Sequence, residues 1–336
     1  MKPIVAVLAI ALVVSSGMAA PAATYKKQAG PFEVAMADSS LKDARRGTAL
    51  AIRIHSPRPA SSAGPVPLVV FSHGAGGSSD AFPELCRHWA SHGYIVVNPT
   101  HGDSIKQRKE RGEQFDPAKG SIAQQVVGRV NLLDRRADVQ LILDSVEQIE
   151  KETGLRIDRE HIAMAGHSAG ALTTQTLAGV KYYLPRGNRG MSLAEPRLKA
   201  FIVISGQGLS MPSLREDSWK EIKAPMLVIA GSEDRSVVRG DENPEGRRHP
   251  YEHASPGGKY LVFIEGATHG SYAGKDIVRI LNEKPPKNIP YITDVVAFST
   301  VAFLDAHLRG DEAARTYLES DAIARYPGGK TEYQHK

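Results

Sequence analysis

Six short, continuous apolar runs constrain this chain more than any other feature: residues 66–71 (VPLVVF), 94–97 (YIVV), 162–165 (IAMA), 200–204 (AFIVI), 226–230 (MLVIA) and 260–264 (YLVFI). Each is too short for a buried helix, and none shows the polar alternation of a strand with one wet face. They predict strands buried on both faces. Helical patterns separate them. Ser79 or Asp80 can cap a helix that runs through about Ala90, and Gly93 ends it. Ile122, Val126, Val130, Leu133, Ala137 and Leu141 step by three or four. A third helix starts at Ser168, and a last one runs over about 293–308. Strands joined through helices lie parallel, which predicts an α/β fold with a mostly parallel central sheet and helices on both faces.

The remaining segments fill in the organisation. Residues 49–54 alternate as a short strand, and 103–121, with the basic run KQRKER at 106–111, read as a long surface loop. In the RRAD segment, Arg135 and Asp138 at i, i+3 read as a helix-surface ion pair. No repeat or linker divides residues 24–326, which read as one domain, and 327–336 (PGGKTEYQHK) as a frayed, flexible tail.

Composition excludes several classes. Of 336 residues, 41% are hydrophobic and 24% charged, too apolar for a disordered chain. The 31 glycines and 21 prolines show no period. Against 37 acidic residues stand 42 basic ones, and a formal charge of +5 is too small to imply nucleic acid as a partner. Residues 1–23 carry Lys2, an apolar stretch over 4–14 and small residues over 17–23, the layout of a signal peptide, with cleavage after Ala19 or, second, Ala22. That apolar stretch is too short for roughly 30 Å of hydrocarbon, so no stable membrane anchor is expected and the location is periplasmic or secreted. A lone Cys86 in an oxidising compartment is best buried, as its neighbours Phe82, Leu85 and Trp89 suggest.

The chemistry concentrates at strand exits. GHSAG at 166–170 follows the run 162–165 and opens a helix-forming segment, the context of a serine held at a sharp strand-to-helix turn. Serine needs a base oriented by an acid. MLVIAGSEDRSV delivers Glu233 and Asp234 past one strand, and KYLVFIEGATHG delivers His269 past the last. An oxyanion would take one N–H from Ala169 and one from the loop HGAGG, at Ala75 or Gly76. His73 closes that loop by a hydrogen bond. HGAGG lacks the following GK[ST] of a phosphate loop. His249 and His253 sit in a polar stretch as solvated or substrate-facing groups, and Asp241, Glu242 and Glu245 fit no calcium-loop spacing. Segments 206–222 and 235–258 are places for pocket loops.

Together VVFSHGAGGSSDAF, ASHGYIVVNPTHGDS, RRADVQLILD, IAMAGHSAGALTTQTLAG and KYLVFIEGATHGSY resemble the α/β-hydrolase family. The closer likeness is to bacterial esterases named as dienelactone hydrolases, related to platelet-activating-factor acetylhydrolase-like and polyester-hydrolysing enzymes. True dienelactone hydrolases use a cysteine nucleophile where Ser168 stands, and the secreted polyester hydrolases commonly carry disulfides that one Cys cannot make. The resemblance implies the α/β-hydrolase fold and an exported serine esterase acting on small-molecule or lipid-like esters without a cofactor. Its triad would be Ser168, Asp234 and His269, with Asp234 favoured over Glu233 because the following SVV resembles the family's loop. The oxyanion donors would be Ala75 and Ala169. A peptidase or amidase, and a binding protein that lost its chemistry, are the alternatives on the same fold.

Overall fold

The computed structural model describes residues 25–58, 64–183, 190–235, 243–275, 278, 281 and 283–336. The expected signal peptide, and Asp241 and Glu242, lie outside the described residues. Strands β1 (Glu33–Asp43), β2 (Thr48–Arg58), β3 (Val66–Ser72), β4 (Ile95–Pro99) and β5 (Ile157–His167) are followed by β6 (Lys181–Tyr182) and β7 (Met191–Ser192), then β8 (Leu198–Ile204), β9 (Met226–Glu233), β10 (Lys259–Thr268) and β11 (Thr331–His335). Among the described residues nine of these form one sheet in the order β1-β2-β4-β3-β5-β8-β9-β10-β11, and β6 pairs β7 apart from it. Ladders from β4 through β10 are parallel, and the pairings β1–β2, β2–β4 and β10–β11 are antiparallel. The mostly parallel sheet expected from the apolar runs is therefore present, with antiparallel edges.

Alternate residues of each central strand enter different cores. Leu68 and Val70 of β3 join one, while Val69 and Phe71 join the other, and Val228 and Leu227 of β9 divide in the same way. Both sheet faces are thus covered, so these strands are apolar throughout. Helices α4 (Leu132–Asp144), α5 (Val146–Thr153) and α6 (Ala169–Ala178) cover the first face. The second is covered by α1 (Pro83–Ser91), α8 (Ile289–Leu308) and α9 (Glu312–Leu318). Helix α8 is long and apolar enough to cross a membrane, but its residues are mostly buried against the sheet. Cys86 is buried, as expected, and burial pushes its thiol up to about 12.

The structure corrects several local expectations. Helix α1 begins at Pro83 behind a left-handed Phe82. Neither Ser79 nor Asp80 caps it, because the helix starts three residues beyond Asp80 with Phe82 in the cap position, and Asp80 pairs with Arg53 and Lys106. Residues 103–121 are not one loop: α2 (Ile105–Glu110) forms there, its buried side supplied by Arg108 rather than an apolar group. Arg108 pairs with Glu113 and lies over the Phe115 ring. The helix expected over 122–141 is two, α3 (Ile122–Val127) and α4, because Asn131 Oδ1 accepts the Leu133 and Asp134 N–H groups and starts a new one. Arg135 and Asp138 are buried in α4 and bond elsewhere, not to each other. Residues 331–335 are no frayed tail but strand β11, set against β10 with Thr331 opposite Ile264.

The elbow between β5 and α6 depends on two missing side chains. A Cβ on Gly166 would lie 2.3 Å from the Gly170 carbonyl oxygen, and one on Gly170 would lie 1.9 Å from that of Ser72. Gly170→Ala must therefore push α6 off β3. Overpacking of this kind costs roughly 1–3 kcal/mol, and contact with backbone oxygens allows little relief. We expect a melting temperature lowered by several degrees. An unchanged melting curve would refute the close-approach argument.

Candidate active site

Strands β5, β9 and β10 run parallel, with β8 between β5 and β9, and each delivers one polar residue past its carboxyl end. Ser168 follows β5 with φ 55° and ψ −116°, a conformation that a residue with a side chain rarely adopts. It is held there by its N–H, which donates to Ile204 O of β8 at 3.0 Å. Ser168 as a residue is partly exposed. Ser168 Oγ lies 2.9 Å from His269 Nε2, and His269 Nδ1 lies 2.9 Å from Asp234 Oδ1. The structure thus brings together Ser168, His269 and Asp234. Glu233, the last residue of β9, is exposed and faces Arg235.

Asp234 is fully buried and is met by several donors. Ser205 Oγ donates to Oδ1 at 2.8 Å, Tyr272 Oη donates to Oδ2 at 2.8 Å, and Arg247 Nε lies 3.5 Å from Oδ1. Burial alone would raise its carboxyl. The Arg247 charge and the hydrogen bonds from His269 and Tyr272 outweigh that and hold it well below the usual carboxylate range. Ser205 and Tyr272 were missed in the sequence. The available signal for Ser205 was its position directly after the apolar run 200–204, as Ser168 stands just beyond its own strand.

A further histidine supports the base from behind. His167 Nε2 lies 2.7 Å from the His269 carbonyl oxygen, so Nε2–H donates. Burial, then the neighbouring His269, pushes its imidazole down to about 3, so it stays neutral.

Ala169 opens α6, and Ala75 lies in the loop after β3. A Cβ on Gly74 would stand 3.5 Å from Ser168 Cβ, so this loop borders the serine. The other expected donor, Gly76, is engaged: its N–H donates to Asp103 Oδ2 at 2.9 Å. Asp103 also takes both ends of the Arg135 fork, Nε at 2.9 Å and Nη2 at 2.8 Å. Burial would raise Asp103, but the Arg135 charge brings it down to about 2. Arg135 Nη1 donates to His73 O at 2.7 Å. His73 closes the loop, as expected.

A second Ser-His-Asp line lies beneath this loop. Ser72 Oγ is 2.8 Å from His101 Nε2, and His101 Nδ1 is 2.7 Å from Asp138 Oδ2. Ser72 and His101 have no exposed surface. No substrate reaches that serine, so the line is structural. Burial pushes Asp138 up to about 6, with the Arg46 pair opposing the shift.

The pocket segments are partly ordered into short helices. Residues 216–219 form a turn of 3₁₀ helix that buries Trp219, and α7 (His249–Glu252) carries His249. His249, Glu252 and His253 could between them hold a metal ion. The Leu209 N–H donates to His249 Nδ1 at 3.0 Å, however. The neutral ring then carries its proton on Nε2, which leaves His249 no lone pair for a metal.

An aligned hydroxyl, imidazole and buried carboxylate at strand ends, beside a loop of backbone amides, can add a serine oxygen to an acyl carbonyl. Comparisons with known proteins bear on the fold and the family. No curated protein sequence matches the chain. Its fold is similar to that of a protein described as a dienelactone hydrolase from Klebsiella pneumoniae subsp. pneumoniae, with TM-score 0.51, 17% identity, and coverage of 74% of this chain and 95% of that one. It is also similar to a ferulic acid esterase from Streptomyces cinnamoneus, with TM-score 0.56, 17% identity, and coverage of 87% and 93%. At such identities these likenesses show the α/β-hydrolase fold alone. Residues 45–313, most of the chain and all three aligned residues, match the sequence profile of platelet-activating factor acetylhydrolase, isoform II, and the chain accordingly belongs to that family of carboxylic-ester hydrolases.

Proposed function

We propose that the chain is an exported serine esterase that hydrolyses small-molecule or lipid-like esters through an acyl-enzyme. Ser168 Oγ attacks the ester carbonyl carbon while His269 Nε2 takes the hydroxyl proton, and Asp234 stabilises the imidazolium. The Ala75 and Ala169 N–H groups face the developing oxyanion. Collapse of the tetrahedral adduct expels the alcohol, which leaves with the proton held by His269. Water then attacks the acyl group by the same route, and Ser168 is released with the acid. The observation that carries this reading is the partly exposed Ser168, whose Oγ lies 2.9 Å from an imidazole that is itself 2.9 Å from a buried carboxylate.

Loss of a triad serine costs roughly 10⁴–10⁶ in kcat. Ser168→Ala should therefore abolish turnover of p-nitrophenyl esters and labelling by a fluorophosphonate, with the circular dichroism spectrum unchanged. Asp234→Asn should cost on the order of 10⁴, and Glu233→Gln should cost little. Residual activity above a tenth in Ser168→Ala moves the nucleophile elsewhere, and a reversal of the two acidic variants makes Glu233 the orienting acid.

The pH profile has a definite form. Protonated His269 cannot accept the serine proton, so kcat/KM falls as pH falls. Asp234 stays ionised through that range, and burial keeps His73, His101 and His167 neutral. One proton therefore governs the acid limb, and log kcat/KM rises with unit slope. Asp138, which burial pushes up to about 6, touches neither Ser168 nor His269 in the hydrogen-bond network. The slope stays at one in Asp138→Asn. A slope of two in the wild type contradicts an always-ionised Asp234.

Export rests on residues 1–23. Removal after Ala19 or Ala22 leaves Tyr25 and Lys26, whose side chains bond Asp305 of α8, in place. Mass spectrometry of the chain expressed with its leader in a Gram-negative host should find it in the periplasm or medium beginning at Ala20 or Ala23. An intact N-terminus on cytoplasmic protein would count against export.

A further inference from the structure

The Gly74 carbonyl is gripped by three donors. His73 Nδ1–H donates to it at 2.6 Å, the Gly77 N–H at 3.1 Å, and Arg135 Nη2 at 3.4 Å. The donor role of His73 Nδ1 follows from its other nitrogen: Nε2 accepts the His101 N–H at 3.0 Å, so the ring's proton sits on Nδ1. In a planar trans peptide, C=O and the following N–H point in opposite directions. Holding the Gly74 oxygen inward therefore turns the Ala75 N–H outward, on a loop whose Gly74 stands beside Ser168. The next peptide is pinned too, since the Gly76 N–H donates to Asp103 and the Gly76 carbonyl accepts the Ile105 N–H at 3.0 Å.

We infer that His73 and Arg135 are positioning residues for the oxyanion donor, holding the Gly74–Ala75 peptide plane with the Ala75 N–H turned toward the site of the Ser168 oxyanion. The inference rests on the esterase reading above. Neither side chain touches substrate. A flipped Gly74–Ala75 peptide would present a carbonyl oxygen where the oxyanion forms, and would repel it. Arg135 is fixed in turn by the Asp103 fork, and its Nη1 also reaches Ser72 Oγ, 3.3 Å away, at the end of the buried Ser72-His101-Asp138 line. The side chains of His73, Arg135, Asp103, Ser72, His101 and Asp138 are all buried, so packing fixes the groups that hold the Gly74 oxygen.

Two substitutions at His73 separate aiming from packing. His73→Ala removes the donor to Gly74. In His73→Asn the side-chain amide can occupy the place of Nδ1–H and restore that donor, while the ring and the acceptor for His101 are lost. Loss of one oxyanion donor costs about 10²–10³ in kcat. With p-nitrophenyl acetate we expect His73→Ala to lower kcat by about 10² at nearly unchanged KM. Binding of a trifluoromethyl ketone, whose hemiketal oxygen uses the same donors, should weaken in parallel. His73→Asn should recover most of both. Equal losses in the two variants, or a fall in kcat with ketone affinity unchanged, would overturn the inference. If His73→Ala fails to fold, Arg135→Lys keeps a cation opposite Asp103 and drops the bonds to the His73 and Gly74 carbonyls. It should show the same kcat-selective loss, and a folded Arg135→Lys with full kcat overturns the inference. A wild-type chain without ester turnover defeats the esterase reading itself, whereas an active wild type with a fully active His73→Ala defeats this inference alone.

Discussion

The left-handed backbone at Ser168 is the constraint on which the site depends. A non-glycine residue at φ 55° costs on the order of 1–3 kcal/mol unless its surroundings enforce it. Here they do so from both sides. The Ser168 N–H is tied to Ile204 O, and Gly166 and Gly170 let α6 approach the sheet more closely than any side chain would permit. The serine is lifted off the end of β5 because the strand before it and the helix after it are both fixed by packing. Without that enforcement the turn would relax, and the 2.9 Å contact with His269 would not form.

Distance alone does not identify chemistry in this molecule. The Ser72-His101-Asp138 line repeats the spacing of the Ser168-His269-Asp234 line to within 0.2 Å at each contact. What separates them is access and charge. Ser72 is sealed beneath the loop that follows β3, whereas Ser168 is partly open to solvent. Around the sealed line, Arg135 and Asp103 form a buried ion pair in a setting where removing one partner typically costs about 3–5 kcal/mol. That pair stabilises little on its own, because desolvation offsets the attraction. Its value lies in direction: a guanidinium fork holds two carbonyls and a carboxylate in one plane.

Much of this was legible because burial writes itself into composition. Strands covered on both faces have to be apolar, so the six central runs could be read directly, and the strand exits then narrowed the candidates to Ser168, Asp234 or Glu233, and His269. Polar burial leaves no such mark. Arg135 and Asp138 have the spacing of a surface pair, and only the fold shows that each is buried with a partner far away in sequence, Asp103 for one and His101 for the other. Arg108 hid helix α2 in the same way, since a buried guanidinium breaks the apolar period that signals a helix. Strand β11 is polar because it lies at a sheet edge, where pairing with β10 uses backbone groups alone. Ser205 and Tyr272 bond Asp234 across 29 and 38 residues, separations no local pattern reports.

The charges at the site form a balanced set. At rest Asp234 is an anion and Arg247 a cation beside it, so the buried pair is neutral. Arg247 also reaches the Asp234 and Gly206 carbonyls, which holds it on the side of the carboxylate. In the proposed reaction, proton transfer from Ser168 to His269 creates a new cation and, once the carbonyl is attacked, a new anion. The cation forms 2.9 Å from Asp234, and the anion forms where the loop's amides point outward. Two separated charges thus appear at positions whose stabilising groups are already oriented, so little reorganisation is needed during the reaction. A neutral acid in place of Asp234 would remove the anion that faces the imidazolium. The depressed ionisation of Asp234 is therefore part of the same arrangement that makes His269 a base.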